Sequence, residues 1–135
     1  MPFLIQGFSS IENGIQDYLA LGSRLGMPYW LGMKAEALYL AHRTSEALES
    51  IEEAIVAERS GLRSWSAELR RLRGVFLAAV GAEERQIEAS FREAIRIAKE
   101  QKSVSLEKRA EAPYAKYRRQ KASGSGGRGF RLPLC

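Results

Sequence analysis

Residues 64–80 read SWSAELRRLRGVFLAAV, and their spacing decides the fold class. Trp65, Leu69, Leu72, Phe76 and Ala79 recur at steps of four, three, four and three. That is one face of an α-helix. Arg70, Arg71 and Arg73 lie off this stripe, where water can solvate them. Gly74 stands in mid-helix, where glycine costs about 1 kcal/mol relative to alanine, and marks a place where a neighbouring helix comes close. Ser64 reads as the N-cap and Gly81 as the residue just past the C-terminal end. A related hairpin flanks this helix on each side, so it is expected to be the central tie of the chain.

Working outward, the same periodicity recurs. Ile11, Ile15, Tyr18, Leu19 and Leu25 share a side after Ser9 and Glu12, which have capping-box spacing. Gly26-Met27-Pro28 breaks that helix, and Pro28 suits the first turn of the next. Leu31, Ala35 and Leu38 form its stripe, with Trp30 nearby. Thr44 or Ser45 is expected to cap a helix carrying Ala47, Ile51, Ala54 and Ile55, which Gly61 ends. Beyond Gly81 come Ile87, Phe91, Ala94, Ile95 and Ala98, and then Leu106, Ala110 and Tyr114 or Tyr117 from a start near Ser103. Pro113 predicts a kink or an end near Ala112, since an interior proline costs about 3 kcal/mol. No hairpin turn of the β type and no useful alternating run occurs. The reading is all-α, with about five or six helices.

Charge divides the chain. The whole carries +5 and a pI near 9.6. Of the 21 lysines and arginines, six (Lys116, Arg118, Arg119, Lys121, Arg128 and Arg131) lie in residues 113–135, which hold no acidic residue. The other fifteen face all 16 acidic residues within 1–112, a net of −1. We therefore read residues 1–112 as a helical repeat domain and 113–135 as a basic helix end with a Gly/Ser-rich tail. From Ala122 the composition ASGSGGRGFRLPLC predicts flexibility. The single cysteine, Cys135, permits no internal disulfide, which suits a cytoplasmic protein. No apolar run approaches the roughly 20 residues of a membrane span.

An internal repeat is visible. Ser50-Ile51-Glu52-Glu53-Ala54-Ile55 aligns with Ser90-Phe91-Arg92-Glu93-Ala94-Ile95 at an offset of 40. In the preceding helices Ala35 matches Gly74 and Leu38 matches Leu77 at nearly the same offset. A two-helix unit of this period is the mark of a helical solenoid. Small residues (Ala35, Gly74, Ala47, Ala54, Ala94) allow close packing, and large ones (Leu38, Leu77, Ile51, Phe91) fill the layers.

The small-x-x-large pattern, followed by Ala47-x-x-x-Ile51-x-x-Ala54-Ile55, resembles the tetratricopeptide repeat. The second copy departs from it at Ile87, where that repeat prefers a small residue, and by about one extra residue in the turn around Gly81 to Glu84. SWSAELRRLRG with IEASFREAIRIAKEQ resembles, more narrowly, the carboxy-terminal repeat region of large bacterial signalling proteins that carry a class III adenylate cyclase and an ATPase module. The resemblance covers about residues 10 to 112. It implies a non-catalytic protein–protein interaction or scaffold module. The cyclase's metal-binding aspartates and the ATPase's phosphate loop have no counterpart here, and the chain reads as a fragment or a decayed gene product.

Candidate chemistry is sparse. His42, the one histidine, falls at a turn near the carbonyl end of a helix, where it can donate to unpaired carbonyls. One histidine and one terminal cysteine do not make a metal site, and no cofactor is expected. Glu52-Glu53 and Glu83-Glu84 are adjacent on helices and diverge by about 100°, as solvated surface does. Residues 124–129 satisfy G-x-G-x-x-G but lack the strand before and helix after that dinucleotide binding needs. A solenoid's concave face comes mainly from the first helix of each hairpin, which selects Lys34, Tyr39, Arg70 and Arg73 for an acidic or carboxylate-ended peptide. Lys116, Arg118, Arg119 and Lys121, interleaved with Tyr114 and Tyr117, are candidate anion-binding residues. They carry a second reading, nucleic-acid binding through the basic segment. The expected partner is a protein or peptide, with a homodimer also expected because a short array leaves an end uncovered. No enzymatic activity is expected.

Overall fold

The computed structural model describes residues 11–14, 27–60, 63–123 and 131–134. All regular secondary structure among these residues is helical. The chain forms two compact units, Met1–Trp65 and Ser66–Cys135.

In the first unit, residues 11–14 are helical. Helix α1 spans Met27–Leu40 and α2 spans Thr44–Ala57, followed by a 3-10 turn over Glu58–Ser60. Pro28 lies in the first turn of α1, where its missing N–H costs nothing. Helices α1 and α2 pack as a hairpin, burying Leu31, Ala35, Leu38 and Tyr39 on one side and Ala47, Ile51 and Ala54 on the other. The cap of α2 differs from expectation. Arg43 occupies the N-cap position without a side-chain hydrogen bond, so neither Thr44 nor Ser45 serves. The expectations placed on Ser9, Ile15, Tyr18, Leu19, Leu25, Gly61 and the glycines of 124–129 lie outside the described residues.

In the second unit, α3 spans Ser66–Val80, α4 Glu84–Glu100 and α5 Val104–Ala122. Helix α3 packs against both α4 and α5. It is therefore buried on two sides, by Leu69, Leu72 and Phe76 and by Ala67, Val75 and Ala78. Ala67, Ile97 and Ala98 form one apolar cluster, with Leu106 packed against it. Ser103 caps α5 and accepts a hydrogen bond from the Leu106 N–H.

Four expectations are corrected here. Trp65 precedes α3 rather than opening its apolar stripe. It lies in a turn, 41% exposed, and packs on Tyr29 with ring centroids 4.8 Å apart. Arg71 is 1% exposed rather than solvated. Of the kink or end expected near Ala112, the end does not occur, and helix α5 runs through Pro113 to Ala122. The buried Pro113, Tyr114 and Tyr117 hold it in place beyond the proline. Finally, the chain's end is partly anchored. Leu132 is 1% exposed, and the Leu134 carbonyl accepts a hydrogen bond from Arg71.

The helix ends share one pattern of backbone bonds, which also closes α4 through Lys102 to Lys99 and Ser103 to Ala98. In α1 the His42 N–H bonds the Tyr39 carbonyl and the Arg43 N–H bonds the Leu38 carbonyl. In α3, Gly81 bonds Ala78 and Ala82 bonds Leu77, each 39 residues later. This pair of bonds is the Schellman motif, which needs a left-handed residue just past the helix. His42 (φ 61°) and Gly81 (φ 71°) supply it. The next helices begin at Thr44 and Glu84, 40 residues apart, so each turn holds three residues and the second has one more between its left-handed residue and the next helix. Ser50, Ile51 and Ala54 are buried, as are Ser90, Phe91 and Ala94.

Candidate functional site

The four residues selected for a concave face fall into both units, two in each. Lys34, on α1, is half-buried and pairs with Glu12 at 2.8 Å. Tyr39 is 2% exposed, so its ring belongs to the core and is not offered to a partner. Its stripe position beside Leu38 explains why. On α3, Arg73 donates to the Ser90 hydroxyl at 2.6 Å, and Arg70 lies within 3.5 Å of the Ser66 carbonyl. Both are half-buried. Arg70 and Arg73 are three residues apart on one helix, which gives two cations on neighbouring turns.

The basic end of α5 is more occupied than its sequence suggests. Lys121 pairs with Glu84 of α4. Arg118 sits 5.5 Å over the Tyr114 ring. Tyr114 in turn stacks on Phe91, with centroids 5.4 Å apart. Its hydroxyl donates to Glu88 at 2.9 Å and accepts from Arg92 at 3.2 Å, which binds α5 to α4. Burial raises the Tyr117 hydroxyl above its ordinary pKa. Neither tyrosine is open for a base to stack on, because both are buried. Arg118 and Arg119 are exposed and Lys116 is half-buried.

His42 is exposed in its turn and contributes through its backbone, not through a ring contact to carbonyls. Among the described residues no cluster of histidine, cysteine, aspartate or glutamate is placed to hold a metal ion. Glu93 is lowered from the ordinary carboxylate range by a hydrogen bond from Arg96, one turn away on the surface of α4. That is a helix ion pair and not a catalytic dyad.

Sequence reasoning missed the buried ionic cluster on α3. Glu68 accepts from Arg71 through Oε2 at 2.9 Å and through Oε1 at 3.3 Å, and Arg109 of α5 shares Oε1 at 3.2 Å. Arg71 also donates to the Leu134 carbonyl. A signal did exist. Ala67, Arg71, Gly74, Val75 and Ala78 form a second line of mostly small residues at helical spacing. It shows that α3 is covered on a second side, with Arg71 inside that line.

No family model matches the chain, and no solved structure matches it. An uncharacterized protein of Rhizobium meliloti (strain 1021) is 34% identical over 108 residues, which cover 79% of this chain. The chain spans about 10% of that relative's length.

Proposed function

We propose that this chain is a non-catalytic protein–protein interaction or scaffold module built from tetratricopeptide-like helical hairpins. The observation that carries the reading is the repeated turn. Two hairpins use the same pair of backbone bonds and bury equivalent residues at an offset of 39 to 40. Such repeats are selected for the surface they present rather than for chemistry. Similarity to about a tenth of a much longer protein suits a module within a larger assembly, such as the carboxy-terminal repeats of an adenylate cyclase-like signalling protein. The partner is a protein or peptide, and a second copy of the chain is one candidate.

The test is affinity capture with the intact chain, with and without nuclease treatment, beside an Arg70→Glu variant whose fold is checked by circular dichroism. A specific protein enriched at least tenfold by the parent chain, and lost with the variant, is expected. Enrichment of nucleic acid instead, weakening steeply as salt rises, would overturn the reading in favour of the basic segment.

A further inference from the structure

We infer that the second unit holds a groove for an extended, leucine-bearing peptide, and that residues 131–134 of the chain itself occupy it. The inference deepens the interaction reading by naming the partner's chemistry.

Three observations converge. First, residues 131–134 have no helical or strand pairing, yet Leu132 is 1% exposed. A side chain so enclosed on a segment without secondary structure points to a recess that receives it. Second, Leu134 lines a cavity of about 290 Å³ together with Lys108, Arg109 and Ala112 of α5. Space therefore remains beside the docked segment for a longer or bulkier occupant. Third, the groove contains a fixed main-chain reader. Arg71 is buried and held by Glu68, which Arg109 grips from α5. Its third nitrogen, Nη1, donates to the Leu134 carbonyl.

This arrangement divides recognition into two parts. A charged donor aimed at a backbone carbonyl captures any extended chain, and its cost of orientation is met in advance by the Glu68 contacts. The recess that holds Leu132 supplies selectivity for an aliphatic side chain. Pro133 between the two leucines favours extended backbone and puts no N–H into an apolar wall. The partner is thus an extended segment of the Leu-Pro-Leu type, read in part through a carbonyl and a leucine side chain. Eight residues separate the segment from the last residue of α5 in sequence, and a ligand joined covalently within so few residues acts at an effective concentration of about millimolar. The resident segment is then a competitor that any partner peptide must displace.

The probe is a fluorescein-labelled peptide of sequence RGFRLPL, residues 128–134, added to the full-length chain. The parent chain is expected to bind it weakly. The full-length Leu132→Asp chain, its own segment released, is expected to bind it at least tenfold more tightly. A peptide carrying the same Leu-to-Asp change is expected not to bind. Equal affinity for the parent and the folded L132D chain, or equal binding of both peptides, overturns the groove. If L132D does not fold, the parent chain is titrated with unlabelled peptide to several millimolar while the Leu132 methyl resonances are followed. Movement to free-chain positions is expected, and resonances that stay fixed overturn the inference. A chain that captures a protein partner yet ignores the peptide leaves the module reading standing and removes only the groove.

Discussion

At the scale of single residues, the two hairpins solve one packing problem with different volumes. A Cβ on Gly74 would lie 2.9 Å from two atoms of the Phe91 ring. At the equivalent positions the first hairpin has Ala35 and Ile51, both fully buried. The larger partner in α4 therefore goes with the smaller residue in α3. Gly74→Ala alone is expected to destabilise the chain by about 1–3 kcal/mol through overpacking, despite alanine's better helix propensity. With Phe91→Ile added, most of that loss should return, and a urea double-mutant cycle should show coupling of about 1 kcal/mol or more. Additive effects would mean that the ring does not set the limit. The turns give a second prediction. His42 and Lys102 hold left-handed backbone at φ 61° and φ 54°, which costs a non-glycine residue about 1–2 kcal/mol. Glycine relieves that strain but loses about 0.5–1 kcal/mol of unfolded-chain entropy. His42→Gly and Lys102→Gly should each raise stability by about 0.5–1 kcal/mol, read as a higher urea midpoint at unchanged slope. Gly81→Ala should lower it by about 1 kcal/mol or more.

At the scale of elements, periodicity located the helices because apolar residues three and four apart can share only one face. It could not show how many sides of a helix are covered. Helix α3 illustrates the difference, since Leu69, Leu72 and Phe76 were legible as one face while Arg71 was assigned to water. Charge alone does not say whether Glu68 and a carbonyl lie within reach. Of the kink or end expected near Pro113, the end does not occur for a related reason. Helix propensity is local, whereas Pro113, Tyr114 and Tyr117 are buried by tertiary packing. Proline still removes the N–H that would bond the Arg109 carbonyl. Pro113→Ala should therefore stabilise the chain by about 1 kcal/mol, the restored helix bond and propensity exceeding the lost ring packing and loop-like preorganisation. Thermal unfolding followed at 222 nm checks the sign. A lower midpoint would show that the buried ring contributes more than the backbone bond it forbids. The candidate site was the least legible level. Tyr39 and the buried tyrosines of α5 have residue types that suit binding, and only burial distinguishes a core aromatic from an offered one.

At the scale of the whole molecule, the balance of charge and the number of hairpins lead to the same experiment. Residues 1–112 are nearly neutral and the remaining six basic residues lie beyond them. Lys121 among these is already paired with Glu84, and Arg118 is engaged with Tyr114. Self-repulsion is therefore weak, and it does not prevent copies from meeting. A helical repeat array gains stability by covering each hairpin's apolar face with the next, and about three repeats are usually needed. Among the described residues two hairpins and one further long helix are present, so an array of the proposed kind would fall near that limit and a second copy is the nearest source of cover. We expect light scattering coupled to gel filtration to give twice the chain mass of 15.1 kDa, independent of protein concentration. The mass should also hold as salt rises, because apolar cover is not screened as surface charge is. A monomer mass at tens of micromolar would show that the chain needs no second copy for cover, and would leave its surface for a different protein. A dimer that dissociates as salt rises would place the contact on exposed cations such as Arg119 rather than on the hairpin faces.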